Sequence, residues 1–273
     1  MKSKSEIEFN IKVHDRVAGR YEKIHDEIFN EVEQARIRNV LEQVIKTVKS
    51  SQENLKALDV GCGSGNLTRH LIDLGIYTVS ADISEKFLKI IGQRFSNTRL
   101  SETLKINGRD LATIEDCTFD IVAASSVLHH VPDYLYLVKE MCRVLKKGGV
   151  IYLDHERNEA YYHKSVEYVE FLKLATPKSV LLWKYLRLLV DLGFYVRFIK
   201  KRINPRYQSE GDIHVWPDDH IEWDKIEQLL TSEGCEIILK KNYLLYKSFY
   251  RKDVYEKYKH RCFDTTMLFA KKK

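Results

Sequence analysis

The sequence predicts an α/β fold: a doubly wound, seven-stranded, mostly parallel sheet with helices on both faces. Three observations predict it. Short apolar runs alternate with helix-periodic stretches between residues 54 and 154. A glycine-rich turn, Gly61-Cys62-Gly63-Ser64-Gly65, separates the first apolar run from its helix. An acid, Asp82, closes the second run. Strand–helix alternation of this kind builds right-handed crossovers, and these place a ligand site at the carboxyl ends of the strands.

The elements follow in order. Residues 6–50 read as helices, because Phe29, Val32, Ile37, Val40, Leu41, Val44 and Val48 recur at helical spacing. Residues 56–60 form a buried strand that ends on the glycines, and 66–74 a helix. Residues 77–81 are the second strand and 84–95 the second helix. Residues 104–106 give a weak third strand, 119–124 a fourth, 134–145 a helix and 150–153 a fifth strand. The rhythm then breaks, since 158–219 reads as mostly helical without a strand signal. It resumes with a helix at 221–232, a strand at 236–241, a helical stretch at 245–258 and a last strand at 265–270. The expected organisation is a helical cap over 1–50, a core formed by 51–156 and 220–273, and a helical lid inserted at 157–219.

Composition narrows the class. The chain has 273 residues, which fits one α/β domain with an insertion. A net charge of +6 is mild, and the basic residues form no dense stripe, so nucleic acid is not an expected partner. Five cysteines, an odd number with no Cys-x-x-Cys pair, argue against a disulfide framework and a zinc knuckle. Together with an N-terminus that lacks an apolar signal region, this predicts a cytoplasmic protein.

The glycine turn discriminates between ligands. Asn66 stands where a dinucleotide fingerprint needs its third glycine, and no Lys-Ser or Lys-Thr follows for a triphosphate. The acid before the turn, Asp59, repels a pyrophosphate but suits an ammonium group. Asp82 is placed to accept hydrogen bonds from a ribose diol, and Ile83 to pack on an adenine. Asp110 and Leu111, after the third strand, offer a polar and an apolar contact to the adenine. The implied ligand is an adenosine with a short zwitterionic tail and no phosphate.

These residues carry a family resemblance. Ala57-Leu58-Asp59-Val60-Gly61-Cys62-Gly63-Ser64-Gly65 resembles the first motif of class I S-adenosylmethionine (SAM)-dependent methyltransferases. Ala81-Asp82-Ile83-Ser84 resembles their ribose motif. Phe119-Asp120-Ile121-Val122 with Val127-Leu128-His129-His130-Val131 is similar to the fourth-strand motif of the small-molecule branch, of type 11 or 25. Arg143-Val144-Leu145-Lys146-Lys147-Gly148-Gly149 resembles the turn before their fifth strand. The resemblance implies a Rossmann-like fold with an antiparallel last strand and SAM as cofactor. It implies that the turn Gly61-Cys62-Gly63 meets the amino-acid tail, that Asp82 holds the ribose, and that Asp110 and Leu111 meet the adenine. Ser125 or Ser126 would then line the methyl end, and Tyr21 would close over the cofactor.

Methyl transfer from a sulfonium needs mainly alignment, so a base matters only if the acceptor loses a proton. Base candidates are His129 and His130 after the fourth strand, and His155 and Glu156 after the fifth. His129, His130, His155, Glu156, His214 and His220 show no tight ligand spacing, and no metal is expected. Within the insertion, His214 and Trp216 are expected to touch the acceptor. The apolar stretch 180–198 and the basic group Arg197, Lys200, Lys201 and Arg202 suggest a lid helix over residues 180–202 with a peripheral membrane option. The reading is methyl transfer to a small-molecule acceptor: a sugar or glycan, a natural product or a lipid-like quinone. Competing readings are an RNA or protein methyltransferase, a nicotinamide-dinucleotide oxidoreductase, and a non-catalytic binding subunit. The absence of an Asn/Asp-Pro-Pro-Tyr/Phe segment argues against adenine-N6 and glutamine acceptors.

Overall fold

The computed structural model describes residues 2–48, 54–180 and 192–273. Two long helices, α1 (Lys2–Val17) and α4 (Glu31–Thr47), flank the short α2 (Tyr21–Ile24) and α3 (Asp26–Phe29) at the start of the chain. Asn30 caps α4 by accepting from the Glu33 N–H, and Ile37, Val40, Leu41 and Val44 form its buried stripe. The strands β1 (Lys56–Val60), β2 (Tyr77–Asp82), β3 (Ser101–Lys105), β4 (Phe119–Ser125) and β5 (Leu145–Arg157) pair in parallel. A small hairpin, β6 (Val215–Trp216) and β7 (Asp219–His220), stands apart. β8 (Cys235–Tyr243) and β9 (Thr265–Lys272) complete a seven-stranded sheet in the order β3-β2-β1-β4-β5-β9-β8. β9 runs antiparallel to both its neighbours.

Both faces of the sheet are apolar, which is what a covered parallel sheet requires. Leu58, Val60, Val122 and Ala124 belong to one core cluster with the helix Tyr134–Val144. Ala57, Ile121, Ala123 and Tyr152 belong to the other, with Ile37 and Leu41 of α4. The chain leaves β1 toward β2 and β3, then crosses back to β4. The crevice at the carboxyl ends of β1 and β4 is therefore the topological switch point, where ligands bind in open α/β sheets.

Four expectations shift. β3 begins at Ser101 rather than residue 104; it is an edge strand with no fully buried residue, so its polar sequence hides it. β5 begins at Leu145, because Leu145 pairs with Phe119 before the register shifts, and Gly148 and Gly149 lie inside the strand. Of 245–258 only Lys252–Tyr258 is helical. The insertion contains the helices Glu159–Tyr162, Val166–Ala175 and Leu192–Ile203, but also the β6–β7 hairpin that its sequence did not announce. Most of the stretch read as an apolar lid, residues 181–191, lies outside the described residues. No helix among the described residues is long and apolar enough to cross a membrane.

Candidate cofactor and acceptor site

The crevice opens as a cleft walled by Val60, Gly61, Gly63, Asp82, Ile83, Ile106, Gly108, Asp110 and Val131. Asp82, at the end of β2, is its one deeply buried acid, 6% exposed. The Gly63 N–H donates to its Oδ2 at 2.9 Å and the Ser84 N–H to its Oδ1 at 2.7 Å. Each oxygen thus accepts one backbone bond that orients it, and each keeps a lone pair for a ligand hydroxyl. Burial raises the Asp82 carboxyl above its ordinary range, while the Ser84 and Gly63 hydrogen bonds pull it back.

The glycines of the turn are needed for different reasons. Gly61 (φ +68°) has Val127 behind it, and a Cβ would come within 2.5 Å of Val127 Cγ2. Gly65 (φ +93°) faces Ile91 in the same way, at 2.4 Å. Gly63 (φ +51°) has nothing within 4 Å of a Cβ, so its backbone borders the open cleft.

Helix α1 and Tyr21 roof the cleft. The Tyr21 ring meets Phe87 edge-on at 5.2 Å and lies 4.2 Å from the His25 ring, centroid to centroid. The His14 ring meets His130 edge-on at 4.8 Å. His14 Nδ1 lies 2.9 Å from the Asn10 carbonyl, so Nδ1 carries the hydrogen and Nε2 is the accepting nitrogen. Burial lowers the His14 pKa and keeps it neutral. Asn10 Nδ2 donates to the His130 carbonyl at 3.0 Å and ties the roof to the end of β4.

A second, larger chamber of about 540 Å³ adjoins the cleft. His14, Tyr21, Ser126 and His130 line both spaces. The chamber adds His25, His129, His155, Glu156, Arg157, Tyr161, Tyr162 and Asp212. Two of these wall residues have unusual backbones. Ser126 (φ +58°) and His155 (φ +63°) are left-handed without being glycine, and they sit side by side, since Ser126 N–H donates to the Asp154 carbonyl at 3.0 Å. The β5–β9 register shifts between Leu153 and Glu156, and this bulge carries His155 and Glu156 at the chamber wall. Strain of this kind is held only where the surroundings over-determine it, commonly at functional sites.

The histidines divide by environment. For His129, burial pushes the pKa down, but the Glu156 carboxylate 2.7 Å from Nδ1 prevails and raises it to about 9. For His130 and His155 burial prevails and lowers the pKa well below the ordinary value. Glu156 also accepts the Val127 and Leu128 N–H groups at 2.9 and 2.8 Å, which fixes its position.

The sequence-predicted residues separate under this geometry. Gly61, Gly63, Asp82, Ile83, Asp110 and Tyr21 line the cleft, and Ser126 the junction. Four of the expected cofactor residues, Asp59, Cys62, Leu111 and Ser125, stand outside the lining of the cleft. Asp59 is buried and its Oδ2 accepts both the Thr68 N–H and hydroxyl, so it anchors helix α5 (Asn66–Asp73). The Cys62 thiol is buried and points back at the Gly63 carbonyl, 3.8 Å away. Leu111 is wholly buried in the core, and Ile106 and Val131 supply the apolar wall expected of it. Ser125 is not among the lining residues; Ser126 stands there. Asp110 also closes its own turn through Asn107 and Ala112.

The insertion is corrected too. Trp216 lines a separate hollow with Phe9, Arg206 and Tyr207. His214 borders the chamber, but both its nitrogens are engaged, with Asp219 at 2.5 Å and the Val131 carbonyl at 3.1 Å. His129, His130 and His155 converge on one chamber. His14 and Asp212 were missed: one lies on a helix and one on a loop, and no local motif marks either.

The methyltransferase-domain family matches residues 58–153, which hold most of the cleft wall below the α1 and Tyr21 roof. A ubiquinone biosynthesis O-methyltransferase of Pelagibacter ubique is 29% identical over 140 residues, covering 50% of this chain and 56% of that protein. A demethylmenaquinone methyltransferase of Bacillus cereus is 32% identical over 143 residues, covering 50% and 60%. A sterol 4-C-methyltransferase of Caenorhabditis elegans is 30% identical over 128 residues, covering 44% and 38%. The chain thus spans about half the length of the curated relatives it matches. Among solved structures, a SAM-dependent methyltransferase of Methanosarcina mazei superposes with a TM-score of 0.53 at 20% identity, covering 85% of this chain and 96% of that one. The cyclase SpnF superposes with a TM-score of 0.56 at 15% identity, covering 89% and 82%. Likeness at that distance shows the fold alone, and SpnF shows that the fold alone does not name a reaction. The family match over residues 58–153, with the order of the motifs, supports a class I SAM-dependent methyltransferase domain of the type 11 kind in that part of the chain.

Proposed function

We propose that the chain transfers a methyl group from SAM to a hydroxyl of a small molecule held in the histidine-lined chamber. One observation carries this reading: His14, Tyr21, Ser126 and His130 wall both the cleft and the chamber, so a donor in one meets an acceptor in the other at a single junction. SAM supplies a methyl already activated on a positive sulfur. The residues present fit that donor. Asp82 has lone pairs free for a ribose diol, Ile83, Ile106 and Val131 give an apolar slot for an adenine, and Gly63 leaves its backbone open to the amino-acid end.

The chain's own contribution is mainly alignment, which accounts for ~7–11 kcal/mol in well-oriented reactions. Tyr21 and α1 exclude water from the junction. A hydroxyl acceptor loses its proton, and neutral His14 and His155 face the space where that proton leaves. A well-placed base adds ~10²–10⁴-fold. The acceptor class is supported by chemistry on both sides. The chamber mixes Tyr161, Tyr162 and Ile221 with histidines and acids, which suits a hydroxylated ring. Two relatives are named for ubiquinone biosynthesis and for demethylmenaquinone, and both names carry a quinone.

Titration with S-adenosylhomocysteine, the demethylated product, tests the donor site. The parent is expected to bind it, and Asp82→Ala to bind at least tenfold more weakly. Equal affinity removes Asp82 from the ribose site. Stabilisation by NAD but not by S-adenosylhomocysteine overturns the reading altogether. Incubation with labelled SAM and a panel of phenols, quinols and sugars then identifies the acceptor class.

A further inference from the structure

We infer that His129, His130 and Asp212 hold one divalent metal ion of the zinc or cobalt kind in the wall of the acceptor chamber. The inference rests on the proposed acceptor site and assigns it a further component. His129 and His130 sit together in a tight turn, Leu128–His130, directly after β4. Asp212 arrives from the distant loop before β6. Its Oδ1 lies 3.5 Å from His130 Nδ1 and 4.0 Å from His129 Nε2. The three ligand atoms lie within 4.8 Å of one another. Ligands around an ion at 2.0–2.2 Å stand about 3.0–3.5 Å apart, so side-chain adjustments of about 1 Å or less close the site.

Three features set this trio apart from a chance cluster. First, His129 Nδ1 faces Glu156 at 2.7 Å, which directs the other nitrogen, Nε2, to Asp212. A carboxylate behind a histidine is the arrangement that orients metal-binding imidazoles. Second, buried His130 Nδ1 has no close side-chain partner: it faces Asp212 Oδ1 at 3.5 Å, beside the Gly211 backbone that also hydrogen-bonds the ring, and an ion between Nδ1 and Asp212 fits that separation. Third, the loop is pinned in place. Ile213 and His214 N–H groups both donate to the His129 carbonyl, at 2.8 and 3.1 Å. Gly211 packs so closely on Asn10 that a Cβ would overlap its side chain.

Two imidazoles and one carboxylate suit zinc, iron or cobalt better than magnesium or calcium. Three protein ligands leave a position open to the chamber, the pattern of a reactive metal site. An acceptor hydroxyl bound there ionises more readily, as metal-bound water does. Its proton passes to a neutral imidazole or to solvent. The oxygen forms the new bond to the methyl carbon, and the carbon–sulfur bond breaks with its electron pair left on sulfur. The ion keeps its oxidation state throughout.

The test uses the full chain, stripped with a chelator, titrated with Zn²⁺ by calorimetry and with Co²⁺ by visible absorption. One ion per chain is expected, with tetrahedral or five-coordinate cobalt bands. Asp212→Asn is expected to weaken binding at least tenfold, and Glu156→Gln ~10–100-fold through the orientation of His129. S-adenosylhomocysteine affinity, measured alongside, stays unchanged in Asp212→Asn and reports a folded cleft. No stoichiometric binding, or equal affinity in Asp212→Asn, overturns the site and leaves the methyl-transfer reading intact. Failure of the parent to bind S-adenosylhomocysteine overturns that reading instead.

Discussion

At the residue scale the glycine turn separates folding from binding. Gly61 and Gly63 share a left-handed φ, yet only Gly61 has a side chain against it. An alanine in this conformation costs ~1–2 kcal/mol at either position. At Gly61 the overlap with Val127 adds the cost of overpacking, ~1–3 kcal/mol. Denaturant unfolding is therefore expected to show Gly61→Ala destabilised by ~2–5 kcal/mol and Gly63→Ala by about half as much. The order reverses for affinity: Gly63→Ala places its methyl at the open cleft and weakens S-adenosylhomocysteine at least tenfold. Similar stability losses in the two variants would mean that Val127 gives way. Asp59 teaches the complementary lesson. Its place before the glycines suggested a ligand contact, whereas its carboxylate serves Thr68.

At the scale of the element, the decisive feature is the bulge in β5. It puts His155 into a left-handed conformation beside Ser126, with Glu156 next to it at the chamber wall. Replacing His155 with glycine relieves backbone strain while removing the imidazole. His155→Gly is expected to change stability by under ~1.5 kcal/mol and to leave S-adenosylhomocysteine affinity intact, because His155 does not line the cleft. Single-turnover methyl transfer is expected to fall ~10²–10⁴-fold. An unaltered rate would leave His14 as the base. Helix α1 makes the second element-scale contribution. Truncating its tie in Asn10→Ala removes the bond to the His130 carbonyl, at a cost of ~1 kcal/mol. A looser roof then shows as faster dissociation of S-adenosylhomocysteine.

At the scale of the molecule, ligand and proton linkage are both measurable. S-adenosylhomocysteine at ~100 times its dissociation constant adds ~2.7 kcal/mol, a rise in melting temperature of about 5–10 °C for a domain of this size. Acid stability is set by histidines buried without charge. His70 is the clearest, lying on α5 away from the chamber, with burial followed by Arg69 lowering its pKa to about 4. Its folded pKa lies below the unfolded value near 6.5, so the unfolded chain binds the proton first as the pH drops. Stability is unaffected above pH 6.5 and falls by at most ~1.4 kcal/mol per pH unit between 6.5 and 4. His70→Gln is expected to flatten that limb in urea titrations at pH 4.5 and 7. A slope equal to the parent's would assign the acid loss to other groups.

The sequence by itself determined the sheet, the glycine turn and the acid at the end of β2. Each is local: a strand, its turn and its helix are specified by neighbours in the chain, and the φ demands of Gly61 and Gly65 are written in their lack of a side chain. The edge strand β3 and the early start of β5 were less legible, because exposed or glycine-bearing strands lose the apolar pattern that marks them. Only the tertiary structure decided which residues face the ligand spaces. Leu111 and Ile83 look alike in sequence, yet one enters the core and the other the cleft. His14, His130, His155 and Asp212 come from four separate segments, and they meet because α1, β4, β5 and the loop before β6 converge at one end of the sheet. That convergence arises from packing between distant segments, and no spacing within the chain encodes it.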